Sequence, residues 1–177
     1  MATTTQLTTI EEFRKLPEDG RRYELRNGEI VAMTFPKHKH FVRQEHLRDL
    51  LKPMAPPGGC VGTNVAFRAV PEYDLREADV AYISPERYAQ IDPEDNLRGA
   101  PDIVIEILSP SNTVAEMNEK EQLCLENGCQ EFWVLDQVHH RIKVSKPDGI
   151  TMTYRPGQEI PLALFGGKKL AVDSIFA

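Results

Sequence analysis

Apolar positions along the chain change their period several times, and each change marks an element. Thr8 and Thr9 stand three residues ahead of Glu11 and Glu12, capping-box spacing that predicts a short helical turn ending near Pro17 and Gly20. Residues 23–33 alternate apolar and polar around Asn27-Gly28, a tight hairpin signal. Beyond Pro36 a helix is predicted over about residues 38–51, with His40, Leu47 and Leu51 on one inward face. Pro53, Pro56, Pro57, Gly58 and Gly59 then break the pattern. Strands are predicted over 65–70, 79–84 and 101–108, with a turn-rich loop over 85–100 before the last. The run 101–108 is apolar on both faces except for Glu106, as in a fully buried central strand. A second helix follows over about 114–127, closed by Gly128. Strands over 132–136, 141–145 and 150–154 complete the pattern, with a turn at Pro147-Asp148-Gly149. Helices bracketing a mixed sheet make this an α/β chain, read as a single domain over 1–177.

With 177 residues, 41% of them hydrophobic, the chain can bury one substantial core. No apolar run approaches the roughly 18–20 residues of a membrane span. Met1-Ala2-Thr3-Thr4-Thr5 lacks the basic and apolar blocks of a secretory leader. Cys60, Cys124 and Cys129 are too few and too irregular for a disulfide framework or a zinc site, so a reducing cytoplasm is expected. A net charge of -6 argues against a dedicated nucleic-acid binder. Two basic islands run the other way: Arg21-Arg22, and Lys37-His38-Lys39-His40 with Arg43. Each is either solvated surface or a contact for phosphate.

Glu106 is the chemical anomaly, because a carboxylate among isoleucines and valines is costly unless it is paired or binds a cation. Asp79 opens the neighbouring predicted strand, so pairing of the two strands would bring both acids to one sheet edge. Such oxygen donors suit Mg2+ or Mn2+. A buried salt bridge is the alternative for Glu106. Lys120 falls inside the apolar stripe of its helix, near Met117, Leu123 and Cys124, where it wants an anionic partner or snorkels along the core edge. Two acids and an inward lysine are the parts needed to activate water and stabilise a phosphate in its transition state.

Several blocks together resemble the Uma-type family of restriction-endonuclease-like proteins, within the PD-(D/E)XK nuclease superfamily. They are Thr8-x-x-Glu11-Glu12-Phe13, Arg22-Tyr23-Glu24-Leu25 with Asn27-Gly28-Glu29, His40 seven residues before Leu47, and Ala78-Asp79-Val80. Pro101-Asp102-Ile103-Val104-Ile105-Glu106-Ile107-Leu108-Ser109 follows, then Glu119-Lys120 and Gly128-x-x-Glu131-Phe132-Trp133-Val134-Leu135-Asp136. The resemblance implies a restriction-endonuclease-like core and a metal-dependent endonuclease, a hydrolase acting on nucleic acid, DNA above all, as a homodimer. It implies that Asp79, Glu106 and the backbone carbonyl of Ile107 hold Mg2+ or Mn2+, with Lys120, Glu24 and His40 completing the catalytic set.

The sequence departs from that pattern in four places. Leu108 stands where a lysine is expected two residues after the acid, and Lys120 on the following helix takes its role. Ala78 replaces the usual proline before Asp79, Glu116 a common aspartate, and Cys124 a common tyrosine. For His40 the competing reading is a satisfied core histidine. Asp102 reads as a cap at the strand entrance rather than a ligand. Two other functions fit the same residues: a binding or regulatory module with little turnover, and a hydrolase of another phosphate ester.

Overall fold

The computed structural model describes residues 7–177; the opening segment, on which the absence of a leader was read, lies outside them. In chain order the elements are α1 (Ile10–Phe13), β1 (Arg22–Arg26), β2 (Glu29–Met33), α2 (His38–Leu51), β3 (Cys60–Arg68) and β4 (Arg76–Ile83). Then come α3 (Pro85–Tyr88), β5 (Leu97–Arg98), β6 (Ile103–Ile107), α4 (Val114–Glu126), β7 (Glu131–Asp136) and β8 (Arg141–Ser145). The chain closes with β9 (Thr151–Tyr154), β10 (Glu159–Leu162), a 3-10 turn (Ala163–Phe165), β11 (Lys168–Ala171) and α5 (Val172–Phe176). Seven strands form one mixed sheet in the order β5-β3-β4-β6-β7-β8-β9. β6 and β7 are its parallel centre, joined through α4, while β4 runs antiparallel to β6.

Two cores lie on opposite faces of this sheet. Leu47 and Leu51 of α2 pack with Val80, Ile103, Ile105, Ile107, Trp133 and Leu135, and the C-terminal Phe165, Leu170 and Ile175 complete that cluster. On the other face Cys124 of α4 packs with Phe67, Ala78, Val104 and Phe132. α4 is started by a capping box between Thr113 and Glu116 and ends at Gly128, whose φ of 107° only glycine adopts without strain. Trp133 is fully buried because its indole N–H finds Glu131 Oε2 at 3.0 Å.

The α/β mixed sheet stands as the sequence predicts, with three differences. Asp79 does not open its strand: β4 begins at Arg76, and Asp79 lies inside it. β3 starts at Cys60 rather than near 65. Both differences share a cause. Val80 and Tyr82 face the α2 side while Ala78 packs on the α4 side, and across the ladder Val61 and Phe67 divide in the same way. The pairs Thr63↔Val80 and Val65↔Ala78 leave Asn64 facing Asp79, and Asn64 has a positive φ of 51°. Both strands therefore turn over at this level, which breaks the period of two that marks a strand in sequence. The third difference is the segment after Tyr154, which has no strong pattern. It forms a β10–β11 hairpin and α5, and covers the α2 face.

Candidate active site

The turnover at Asp79 coincides with the end of the β4–β6 ladder. The last pair recorded on that side is Val80↔Ile105, and one step further the register sets Asp79 against Glu106. There the Asp79 carboxylate takes over the ladder: Oδ2 accepts the backbone N–H of Ile107 at 2.7 Å. From the α2 side, Gln44 Nε2 donates at 3.0 Å to Asp79 Oδ1 and at 3.0 Å to Asn64 Oδ1. One helical turn earlier, His40 Nε2 lies 3.2 Å from the Ile107 carbonyl oxygen and 3.3 Å from Asp79 Oδ2. Its hydrogen bond to Asp79 raises the His40 pKa, with burial opposing.

Glu106 is buried in β6 and meets α4 instead. Lys120 Nζ lies 2.8 Å from Glu106 Oε1 and donates at 2.7 Å to the Glu77 carbonyl. This close ion pair is the contact that Oε1 makes, and no further hydrogen-bond donor reaches that oxygen among the described residues. Burial pushes the Glu106 carboxyl up to about 7, against the pull of Lys120 and with the help of Asp79. Burial pulls the Lys120 pKa down, yet Glu106, Glu24 and Asp79 together hold it above the ordinary value. A raised acid beside a raised lysine looks contradictory for an ion pair. Its resolution is the count: three acids surround one lysine, so Lys120 stays charged while Glu106 remains under-neutralised.

Glu24 reaches this field from the β1–β2 hairpin. It is itself buried, accepting the Glu77 N–H at 2.9 Å and Arg26 Nε at 2.9 Å. Glu24 thus ties the hairpin to β4 and adds negative charge, without a recorded hydrogen bond to Asp79 or Glu106. Glu116, which departs from the resembled pattern, caps α4 and pairs with Arg26 at 3.2 Å. Cys124 is sealed in the α4-side core, so neither substitution displaces Lys120 from Glu106. Asp102 does cap: it accepts the Ser84 N–H at 2.8 Å and faces Arg87 at 3.4 Å.

Asp79, Glu106 and the Ile107 carbonyl, with Lys120 and His40, therefore meet where β4 and β6 part. Their donor chemistry fits a hard divalent cation: all the donors are oxygens, and Asp79 and Glu24 add to the negative charge around the Glu106–Lys120 pair. Among the described residues no three His, Cys, Asp or Glu side chains stand together as a ready-made ligand cluster for any metal, so a cation here would rest on two carboxylates and a backbone carbonyl, with water completing its shell. Sequence reasoning missed Gln44 and Asn64. A glutamine four residues after His40 on the inward stripe was the available signal for Gln44. For Asn64 there was none, since its role comes from the strand turnover.

The sheet order, with a parallel β6–β7 centre and antiparallel flanks, defines a mixed α/β fold. The chain matches the family model Uma2, described as "Putative restriction endonuclease", over residues 10–173, and it belongs to that family. A crystal structure from Anabaena variabilis, described as "a putative nuclease belonging to DUF820", superposes with a TM-score of 0.80. That likeness covers 95% of this chain and 97% of the other at 22% identity, and it shows a shared fold. A protein of Aeropyrum pernix, whose name states no activity, is 28% identical over 103 residues. The match spans 56% of this chain but only 38% of that relative's length. Among the described residues, no helix is long and apolar enough to cross a membrane.

Proposed function

We propose that the protein is a Mg2+- or Mn2+-dependent nuclease that hydrolyses phosphodiester bonds, with Asp79, Glu106 and the Ile107 carbonyl as the metal-holding groups. The observation that carries this reading is Glu106: a carboxylate buried in the central strand, ion-paired with Lys120 and next to Asp79 in the register. A bound magnesium ion would supply Lewis acidity and a water of lowered pKa. The chain's own residues do the rest. Lys120, kept charged by the surrounding acids, offers a fixed cation to the negative charge that builds on phosphorus-bound oxygens. Gln44 and the Ile107 N–H hold the Asp79 carboxylate in one orientation, so little reorganisation is needed when substrate arrives. His40 bridges Asp79 and the Ile107 carbonyl and holds both in place. Cutting both strands of a duplex would take two copies of this site and hence a homodimer; a single strand needs one.

A second reading has its own observation. Both Asp79 oxygens are already engaged, by Gln44, by the Ile107 N–H and by His40. A site so satisfied would serve a module that binds nucleic acid without cutting it. Incubation with supercoiled plasmid, linear duplex and single strands, with and without Mg2+ or Mn2+, decides between them. Metal-dependent cleavage that Glu106→Gln abolishes supports the nuclease. Binding without cleavage under every condition supports the module.

A further inference from the structure

Of the two basic islands in the sequence, the fold neutralises one. Arg22 is paired with Glu77, and Arg21 approaches Asp19 at 3.9 Å. The other island stays open: Lys37 and Lys39 are exposed and form no ion pair among the described residues, and the first turn of α2 carries no acid. Large apolar groups stand between these cations. Phe35 is 70% exposed, Phe41 46% and Val42 49%, on a chain that otherwise buries Phe67, Phe132 and Phe165 almost completely. The His38 and Phe41 rings lie side by side, with centroids 6.4 Å apart and planes 32° apart. This strip is continuous with the candidate active site, because His40 in its middle turns inward to Asp79 and the Ile107 carbonyl.

We infer, resting on the nuclease reading above, that residues 35–43 form the docking strip for single-stranded DNA entering that site. Free cations interleaved with exposed aromatic rings match a strand whose phosphates and unstacked bases are both available. In a duplex the base faces are covered, and the rings would meet nothing they can stack on. Charge complementarity supports the same occupant: in a chain of net charge -6, an unpaired basic strip beside an acid cluster draws a polyanion to one place. The choice of DNA over RNA follows the family match, described as "Putative restriction endonuclease", and the oligouridylate arm of the test below checks it.

The test measures binding to the metal-free full chain by fluorescence anisotropy, with labelled oligothymidylate, oligouridylate and a DNA duplex of equal length. The single DNA strand binds most tightly. Phe35→Ala with Phe41→Ala weakens single-strand binding by about five- to a hundredfold and leaves duplex binding nearly unchanged. Phe35→Tyr with Phe41→Tyr retains affinity. Lys37→Ala with Lys39→Ala weakens both and flattens the salt dependence by about 0.7 per cation on the single strand. Because these side chains are exposed, circular dichroism melting of each variant stays near wild type. Equal or tighter duplex binding, tighter binding of oligouridylate, or unchanged single-strand affinity in the alanine pair overturns the inference. So does sedimentation showing that the alanine pair only converts a dimer to a monomer, which makes the strip a self-association surface. Cleavage with Mg2+ or Mn2+ is read in parallel. Rapid duplex cutting sinks the docking strip and leaves the nuclease standing, whereas single-strand binding without any cutting does the reverse.

Discussion

In the metal-free protein Glu106 holds its proton to about pH 7, well above the usual carboxyl value near 4.5. A group whose pKa is higher folded than unfolded stabilises the fold at pH values below the unfolded value. That contribution is lost as pH rises through the folded value. Stability measured by urea unfolding should therefore fall between about pH 4.5 and 7, and Glu106→Gln should flatten that fall. Lys120 works on the same balance. Lys120→Met leaves Glu106 facing Asp79 and Glu24 with no cation, so the variant should lose more stability at pH 8 than at pH 5. Its turnover on a cleavable substrate should drop by roughly a hundred- to a thousandfold while Mg2+ still binds. Unchanged turnover would return Lys120 to a purely structural part.

Between elements, Arg76 is one of several ties from the sheet to α4, beside the packing of Cys124 and the Lys120 contacts. Its guanidinium is fully buried, donates to Asp74 at 2.9 Å and reaches Glu119 of α4 at 2.7 Å. Glu119 is partly exposed and contributes less, so the desolvated partners are Arg76 and Asp74. Burial raises the Asp74 pKa, and one of its oxygens has no partner among the described residues. Arg76→Met strands that acid and should cost about 3–5 kcal/mol in urea unfolding. Adding Asp74→Asn to Arg76→Met should recover a large part of the loss, and a simple sum of the two single effects would show that the pair is not coupled. Since α4 carries Lys120, the single variant should also lower turnover.

For the whole molecule, the proposed metal site predicts that a divalent ion acts as a folding ligand. Mg2+ or Mn2+ at about a hundred times its Kd should stabilise the protein by about 2.7 kcal/mol, read as a rise in melting temperature. Glu106→Gln should abolish that rise, and because it also takes away the main partner of buried Lys120, the size of its stability loss without metal measures how far Asp79 and Glu24 can serve that cation instead. Asp79→Asn is the less clean variant, since Asp79 is also the end piece of the β4–β6 ladder and loses its Gln44 and His40 partners. His40 occupies two of the same oxygens and its pKa is raised, so metal affinity should weaken as His40 takes up its proton. Metal-stripped protein that is unfolded, or melting that neither ion shifts at millimolar levels, would remove the metal from this account.

The chain's linear pattern determined most of the central sheet, both long helices and the α/β class, because apolar period and turn residues report burial locally. It also exposed Glu106 and Lys120, since a charge inside an apolar run is visible without coordinates. Asp79 was legible as a residue but not in its place. The strand turnover at Asn64 and Asp79 arises only when β3, β4 and β6 compete for the same backbone partners, and that competition exists in no single segment. The β10–β11 hairpin and α5 were invisible for the same reason: their apolar residues gain burial from the α2 face, not from each other. Whether a basic island is spent or free was likewise decided in three dimensions. Glu77 closes on Arg22 from a distant strand, while among the described residues nothing folds over Lys37 and Lys39. Sequence carries what neighbours along the chain can satisfy; the tertiary structure decided which charges were brought together, because only it sets Asp79 beside Glu106 and Lys120 across three elements.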